Sequence, residues 1–105
     1  MAPDDALALM DDLRRRIDEL DEHLVRLLNA RAACALEIGR LKQELGMEIY
    51  QPARERDVLE HVCSVNGGPL SPGAMRRLFE RIIDEARGLE RHALDNTEFG
   101  MRNSE

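Results

Sequence analysis

The stretch "LLNARAACALEIGRLKQELG", residues 27–46, decides the fold because its apolar side chains recur with the spacing of an α-helix. The pattern reaches back to Met10, and ten of eleven positions in its two heptad rows are apolar or cysteine. It predicts one amphipathic helix from about residue 7 to about residue 45, with Gly46 as its end. Gly39 lies inside this helix, where a glycine costs on the order of 1 kcal/mol relative to alanine.

Two shorter helices follow the long one. Pro52 suits the first turn of the second helix, and the "NGG" of residues 66–68 ends it. Ser71 and Pro72 form an N-cap and first-turn pair that opens the third helix, which is predicted to end near His92. There is no strand-like alternation, so the sequence predicts an all-α chain of three helices with one very long N-terminal helix.

Composition limits the domain count and the kinds of partner. The 105 residues suffice for one domain, predicted as residues 1–92, followed by a polar, disordered tail over residues 93–105. A net charge of −6 argues against nucleic acid as the main partner. No apolar run approaches the roughly 20 residues that span a membrane, and no signal peptide is evident, so we expect a cytoplasmic protein. The histidines and cysteines lack metal-ligand spacing, and no metal or cofactor is expected.

Arg31 is the one charged residue in the two apolar heptad rows. Burying a cation between packed helices costs free energy unless the cation is paired. Arg31 either sets the register of a helical dimer by pairing with a partner acid, or it binds a ligand. Lys42 follows eleven residues later, after three helical turns, and points nearly the same way. Glu55 and Glu90 lie on the inward faces of the second and third helices. Four such charges together indicate a polar, ligand-binding cavity inside a helical bundle.

The long helix also predicts a second chain. At about 1.5 Å per residue it would extend close to 60 Å. Two short helices alone could not cover an apolar face of that length. Arg14 shares a heptad row with Lys42, but the two lie about 42 Å apart along one helix. An antiparallel partner helix crossing near Leu24 and Val25 would bring its Arg14 opposite a point between Arg31 and Lys42. Each site would then be built from both chains.

Three segments of the chain resemble the all-helical chorismate mutases: "LRRRIDELDEHLVRLLNARAACALEIGRLKQELG", "YQPARERDVLEHV" and "LFERIIDEARGLE". The resemblance covers roughly residues 10–91. It implies an intertwined antiparallel homodimer of three-helix chains that rearranges chorismate, a dianion, to prephenate. This reaction is pericyclic and needs no nucleophile, metal or cofactor. A protein can assist it by restricting the substrate's shape and by placing cations where negative charge develops.

The resemblance also implies roles for the basic residues. Arg31 and the partner subunit's Arg14 would hold the two carboxylates of chorismate. Lys42 would contact a carboxylate and the ether oxygen, on which negative charge builds as the C–O bond breaks. Arg54 would order the carboxylate side of the pocket.

The remaining positions include three departures from the family pattern. Glu55 would accept a hydrogen bond from the ring hydroxyl. Gln51 stands where an acidic residue is often found, and Ala86 stands where a serine is often found; both are substrate-binding positions of secondary importance. Glu90 would face the ether oxygen, where many bacterial relatives have glutamine. Because an ionised carboxylate would repel the developing oxyanion, we expect Glu90 to be neutral in the transition state and activity to be greatest at mildly acidic pH.

Two other functions fit the same residues. Isochorismate-pyruvate lyase is a second pericyclic activity on the same fold, with the same cationic pocket. A non-catalytic dimerisation module, in which the buried charges only set register, is the alternative from a different class. The residues neither indicate nor exclude a separate enzyme that activates the protein.

Overall fold

The computed structural model describes the backbone of residues 1–103 and the side chains of residues 1–92. It contains three α-helices, which are α1 (Pro3–Leu45), α2 (Pro52–Val65) and α3 (Pro72–Asn103), and no strand within the described backbone. The predicted all-α, three-helix chain is therefore confirmed. No helix among these residues combines the length and the apolar character needed to cross a membrane.

Two helix bounds differ from the prediction. α1 begins at Pro3 rather than near residue 7, because a proline in the first turn and the acidic Asp4 and Asp5 all suit a helix start. α3 continues to Asn103, past the predicted end at His92, since residues 93–99 contain no proline or glycine to interrupt it. The division into a domain of residues 1–92 and a tail of residues 93–105 stays a prediction, and residues 104 and 105 lie outside the described residues.

The chain divides into two compact units, the first of which is Met1–Arg31, the N-terminal part of α1. Its apolar stripe is exposed rather than packed: Leu13 is 50% exposed, Leu20 55% and Leu24 53%. Burying a leucine side chain contributes about 1.5–3 kcal/mol, so an exposed row of this kind leaves a large stabilising contribution unused. Within this single chain, the apolar seam predicted for residues 10–31 lies at the surface.

The second unit begins at Ala32 and has a small core drawn from all three helices. Ala35 on α1, Leu59 on α2 and Ile83 on α3 are each 9% exposed or less. α2 packs along α3. The carboxylate residue Glu90, only 8% exposed, is buried in the same unit. This unit therefore holds a buried charge, which needs a partner.

A glycine cap ends α1 and starts the connection to α2. Gly46 has a φ of +67°, in the left-handed region that glycine adopts without a Cβ penalty. The Gly46 amide donates to the Gln43 carbonyl at 3.2 Å, and the Met47 amide donates to the Lys42 carbonyl at 2.8 Å. These two bonds form a Schellman motif, so the predicted helix end at Gly46 is confirmed. The cap directs residues 47–51 back past the last turn of α1.

The predicted start of α3 is also confirmed. The Ala74 amide donates to the Ser71 hydroxyl at 3.1 Å, which is the N-cap hydrogen bond expected for a serine directly before Pro72. In the turn that precedes it, the Gly68 amide donates to the Asn66 side-chain oxygen at 3.1 Å. This local bond follows the end of α2 and begins the return of the chain to α3.

Candidate active site

The interior charge pair of the second unit joins the end of α1 to α3. The Lys42 Nζ atom lies 2.9 Å from the Glu90 Oε2 atom, and the two side chains are 14% and 11% exposed. The ammonium group also donates a hydrogen bond to the Ile49 carbonyl at 2.8 Å. An ammonium has three donors, so the Lys42 Nζ atom has one left for a ligand once Glu90 and Ile49 are bound.

Gly39 makes this pair possible. It is buried, and a Cβ atom placed on it would lie 3.0 Å from the Glu90 Cα and 3.2 Å from the Glu90 carbonyl oxygen. The backbones of α1 and α3 therefore approach at this point more closely than a larger residue would allow. Lys42 lies three residues further on the same helix face, within reach of Glu90. The sequence indicated only the helix-propensity cost of Gly39; the close contact explains why that cost is tolerated.

A second charge pair joins α2 to α3. The Arg87 Nε atom donates to Glu55 Oε2 at 3.0 Å, and the Arg87 Nη2 atom donates to Glu55 Oε1 at 2.9 Å. The two side chains are 24% and 23% exposed. The hydrogen bonds to Glu55 and the charge of that carboxylate raise the pKa of Arg87 above its ordinary value, although burial opposes the shift. The guanidinium therefore carries a permanent charge in this two-bond, bidentate pair.

The Tyr50 ring lies next to the Arg87 guanidinium. Its ring centroid lies 5.1 Å from the Arg87 Cζ atom, which is a cation–π distance. The Arg87 Nη2 atom also donates to Asp84 Oδ1 at 3.1 Å, one turn earlier on α3. The connection, α2 and α3 are thus joined through a single guanidinium group.

Arg87 is the residue that sequence reasoning missed. Periodicity placed Glu90 on the inward face of α3 and the family resemblance pointed to Ala86, but neither pointed to Arg87, the residue after Ala86. A signal was available: Arg87 follows Ile83 by four residues and precedes Glu90 by three, so it lies on the helix face that both of those buried residues share. Its pairing with Glu55, 32 residues away, could only be seen in the folded chain.

The other predicted positions of this unit belong to neither pair. Gln51 is half-buried and its Nε2 atom donates to the Glu48 carbonyl at 2.8 Å, so it orders the connection just before α2. Ala86 is half-buried on α3, and Arg54 is exposed in the first turn of α2. The structure therefore brings together Lys42 with Glu90, and Glu55 with Arg87.

The two remaining cations belong to the first unit. Arg31 is half-buried and is the last residue of that unit, and Arg14 is exposed. Both lie on α1. Their predicted contribution to a ligand site depends on a second chain and stays a prediction.

The fold and the site together define a class of protein. It is an all-helical protein in which oppositely charged, mostly buried side chains from three helices are in contact. The family model for chorismate mutase type II matches residues 13–91. This chain belongs to the chorismate mutase type II family. The predicted resemblance to the all-helical chorismate mutases is confirmed.

Individual relatives agree with this assignment. The chain is 43% identical over 83 residues to a bifunctional chorismate mutase/prephenate dehydratase of Pseudomonas aeruginosa, covering 74% of this chain and 23% of that protein. It thus spans about a quarter of the length of such bifunctional relatives. It is 26% identical over 90 residues to a chorismate mutase of Methanocaldococcus jannaschii, covering 83% of this chain and 89% of that protein.

Solved structures of similar size share the fold. A chorismate mutase from Thermus thermophilus superposes with a TM-score of 0.77 at 35% identity, covering 78% of this chain and 93% of the other. A chorismate mutase from Helicobacter pylori, in complex with prephenate, also gives a TM-score of 0.77, at 31% identity, with 84% of this chain and 96% of the other covered.

Proposed function

We propose that this chain is a chorismate mutase that rearranges chorismate to prephenate. The mostly buried Lys42 ammonium carries the proposal, because Glu90 and the Ile49 carbonyl hold it in place inside a family whose fold this chain shares. A cation fixed before the substrate arrives needs no reorganisation as charge develops, and such preorganisation is the main means by which proteins stabilise a charged transition state. The H. pylori relative solved with prephenate supports the choice of ligand.

The protein forms no covalent bond with the substrate in this reaction. Within one chorismate molecule the ether C–O bond breaks as a new C–C bond forms, and no proton or electron leaves the molecule. Lys42 would donate a hydrogen bond to the ether oxygen and to a carboxylate. Arg31 and the partner subunit's Arg14 would hold the carboxylates, and Arg54 would order that side of the pocket. Holding the substrate in its folded shape removes much of the entropic part of the barrier.

Glu55 and Glu90 would act on the two neutral oxygens of the substrate. Glu55 would accept a hydrogen bond from the ring hydroxyl. Glu90 faces the ether oxygen in this proposal; the carboxylate that pairs with Lys42 in the free chain would first take up a proton and then donate a hydrogen bond to that oxygen as a neutral carboxylic acid. The 2.9 Å contact with Lys42 places the Glu90 carboxyl next to the group that shares this task. Gln51 and Ala86 would contribute to the pocket wall, where both are half-buried.

We infer that the active form is an antiparallel homodimer. The exposed apolar side chains of residues 7–28 support this inference, since a second copy of α1 would cover them (Leu7, Leu9, Met10, Leu13, Ile17, Leu20, Leu24, Val25, Leu27 and Leu28). Association driven by such a stripe is typical of long amphipathic helices. A dimer would also place one chain's Arg14 near the other chain's Arg31 and Lys42. We further infer a cytoplasmic enzyme that needs no metal or cofactor.

The decisive experiment compares products. Purified protein is incubated with chorismate and, separately, with isochorismate, and products are identified for the wild type and for Arg31→Ala. We expect prephenate from chorismate, no pyruvate release from isochorismate, and about a 10²–10³-fold loss of turnover in Arg31→Ala. Pyruvate release from isochorismate would indicate the lyase instead. Absence of turnover and of any thermal stabilisation by chorismate would favour the dimerisation module.

A further inference from the structure

We propose that Arg87 is a positioning residue that orients the Glu55 carboxylate toward the ring hydroxyl of the substrate. This inference rests on the proposed function, in which Glu55 accepts a hydrogen bond from that hydroxyl. It adds a residue that is not part of the predicted substrate pocket and whose role is exerted through Glu55.

The contact geometry fixes the plane of the carboxylate. The Nε and Nη2 atoms of Arg87 reach the two Glu55 oxygens at 3.0 and 2.9 Å. Two parallel hydrogen bonds to a planar guanidinium stop the carboxylate from rotating about its last side-chain bond, which is otherwise soft. Each oxygen accepts through two lone pairs, so one stays available on each side after Arg87 has bound. A hydroxyl donor can therefore be added without breaking the pair.

Arg87 is itself held from other sides. Asp84 accepts from the same Nη2 atom at 3.1 Å, and the Tyr50 ring lies 5.1 Å away. These contacts come from α3 and from the connection before α2, so the guanidinium is ordered before any ligand arrives. Preorganisation of this kind reduces the entropy lost on binding.

The charge balance shows how Arg87 differs from Lys42. Glu55 and Asp84 both contact the guanidinium, which leaves it with no net positive charge to offer a substrate carboxylate. Lys42 contacts one carboxylate and one neutral carbonyl. Arg87 would therefore influence the substrate through the orientation of Glu55 rather than as a further anion-binding cation.

A purely structural ion pair is the alternative explanation. Pairs between exposed side chains contribute little to stability, and the Arg81–Glu85 pair on α3, at 2.7 Å with side chains 76% and 65% exposed, is such a case. The Arg87–Glu55 pair differs in being about three-quarters buried and bidentate. An orienting role predicts an effect specific to the ring hydroxyl, whereas a structural role predicts none.

The test measures binding of two bicyclic transition-state mimics of chorismate, one with the ring hydroxyl and one without it. Dissociation constants are determined for the wild type, Arg87→Met, Arg87→Lys, Glu55→Gln and the matched control Arg81→Lys. We expect Arg87→Met to weaken binding of the hydroxyl mimic about ten- to a hundredfold, the range for a lost hydrogen bond to a charged group. The mimic without the hydroxyl should bind within about twofold of wild type, and Arg81→Lys should leave both affinities unchanged.

Arg87→Lys keeps the charge but cannot form two parallel bonds, so we expect it to lose most of the hydroxyl-specific affinity. It also keeps the test valid if Arg87→Met does not fold. In a Glu55→Gln background, Arg87→Met should add little further loss, because the two residues act as a unit. Equal weakening of both mimics, or full affinity in Arg87→Lys, would overturn the proposal.

The experiment distinguishes a failure of the Arg87 role from a failure of the proposed chorismate mutase function. If the wild type binds the hydroxyl mimic in a manner that depends on Arg31 but not on Arg87, the role of Arg87 is wrong and the proposed function stands. If the wild type binds neither mimic, both are wrong.

Discussion

The N-terminal unit and the unit that begins at Ala32 differ in how far their apolar side chains are buried and in the charge pairs they contain. In residues 1–31 the apolar stripe is exposed, with Leu24 at 53% and Leu27 at 67%. In the second unit Ala35, Leu59 and Ile83 are buried, and two charge pairs lie between the helices. The second unit thus holds the Lys42–Glu90 and Arg87–Glu55 pairs by contacts within one chain. The first unit has an exposed apolar stripe and also holds Arg14 and Arg31.

The largest effect should come from breaking the first unit's stripe with Leu24→Asp. This residue lies near the predicted dyad, so two unpaired carboxylates would face each other in an apolar seam. Burying an unpaired charge costs about 3–5 kcal/mol, which should raise the dimer dissociation constant by roughly two to four orders of magnitude and abolish activity at assay concentration.

Sedimentation velocity over a range of concentrations, with turnover measured in parallel, checks this prediction. Glu22→Lys, which changes a charge at an exposed position on the opposite side of the heptad, is the matched control and should assemble normally. A Leu24→Asp protein that dimerises and turns over chorismate like the wild type would contradict the assignment of this stripe to an interface.

An intermediate effect should come from Gly39→Ala, within the second unit. The added methyl would lie 3.0 Å from the Glu90 Cα, so α1 and α3 must separate. We expect a loss of about 1–3 kcal/mol in the free energy of unfolding, larger than the propensity gain of alanine. Gly88→Ala is the matched control, because a Cβ on Gly88 meets nothing within 4 Å.

Urea unfolding at one protein concentration compares the two variants. Gly88→Ala should be stabilised by up to about 1 kcal/mol, so the two changes are expected to have opposite signs. The Gly39 variant should also lose activity, because the Lys42–Glu90 contact depends on the close approach. Equal stabilisation of both proteins would show that the helices adjust freely at this point.

The smallest effect concerns the charge state of Glu90. If the neutral acid is the active form, turnover should be greatest at mildly acidic pH, whereas Glu90→Gln should give a flatter profile. The ratio of variant to wild-type turnover should therefore rise with pH. Glu85→Gln, an exposed position on the same helix, should keep the wild-type profile. A flat wild-type profile, or a glutamine variant with no relative gain at the higher pH, would contradict the neutral-acid role.

The sequence predicted the helices well because their signals are local. Heptad spacing, Gly46 and the Ser71–Pro72 pair each act within a few residues, and the structure confirms them. The end of α3 was missed because the absence of a stop signal is weaker evidence than the presence of one.

The site was predicted only in part. Lys42 and Glu90 could be placed on inward faces by periodicity, but their contact depends on how closely Gly39 lets two helices approach, and that is a property of packing. The bidentate pairing of Arg87 with Glu55 depends on the relative rotation of α2 and α3, which no local pattern specifies.

The measurement that tests the central claim most directly is subunit complementation between Arg14→Ala and Lys42→Ala. Each variant alone should be inactive, since every site lacks one cation. When the two are unfolded together and refolded, half of the dimers should be mixed, and one of the two sites in each mixed dimer should hold both native residues. We predict a recovery of about a quarter of wild-type turnover, with prephenate as product. A mixture no more active than its separate components would contradict a chorismate site built from both chains.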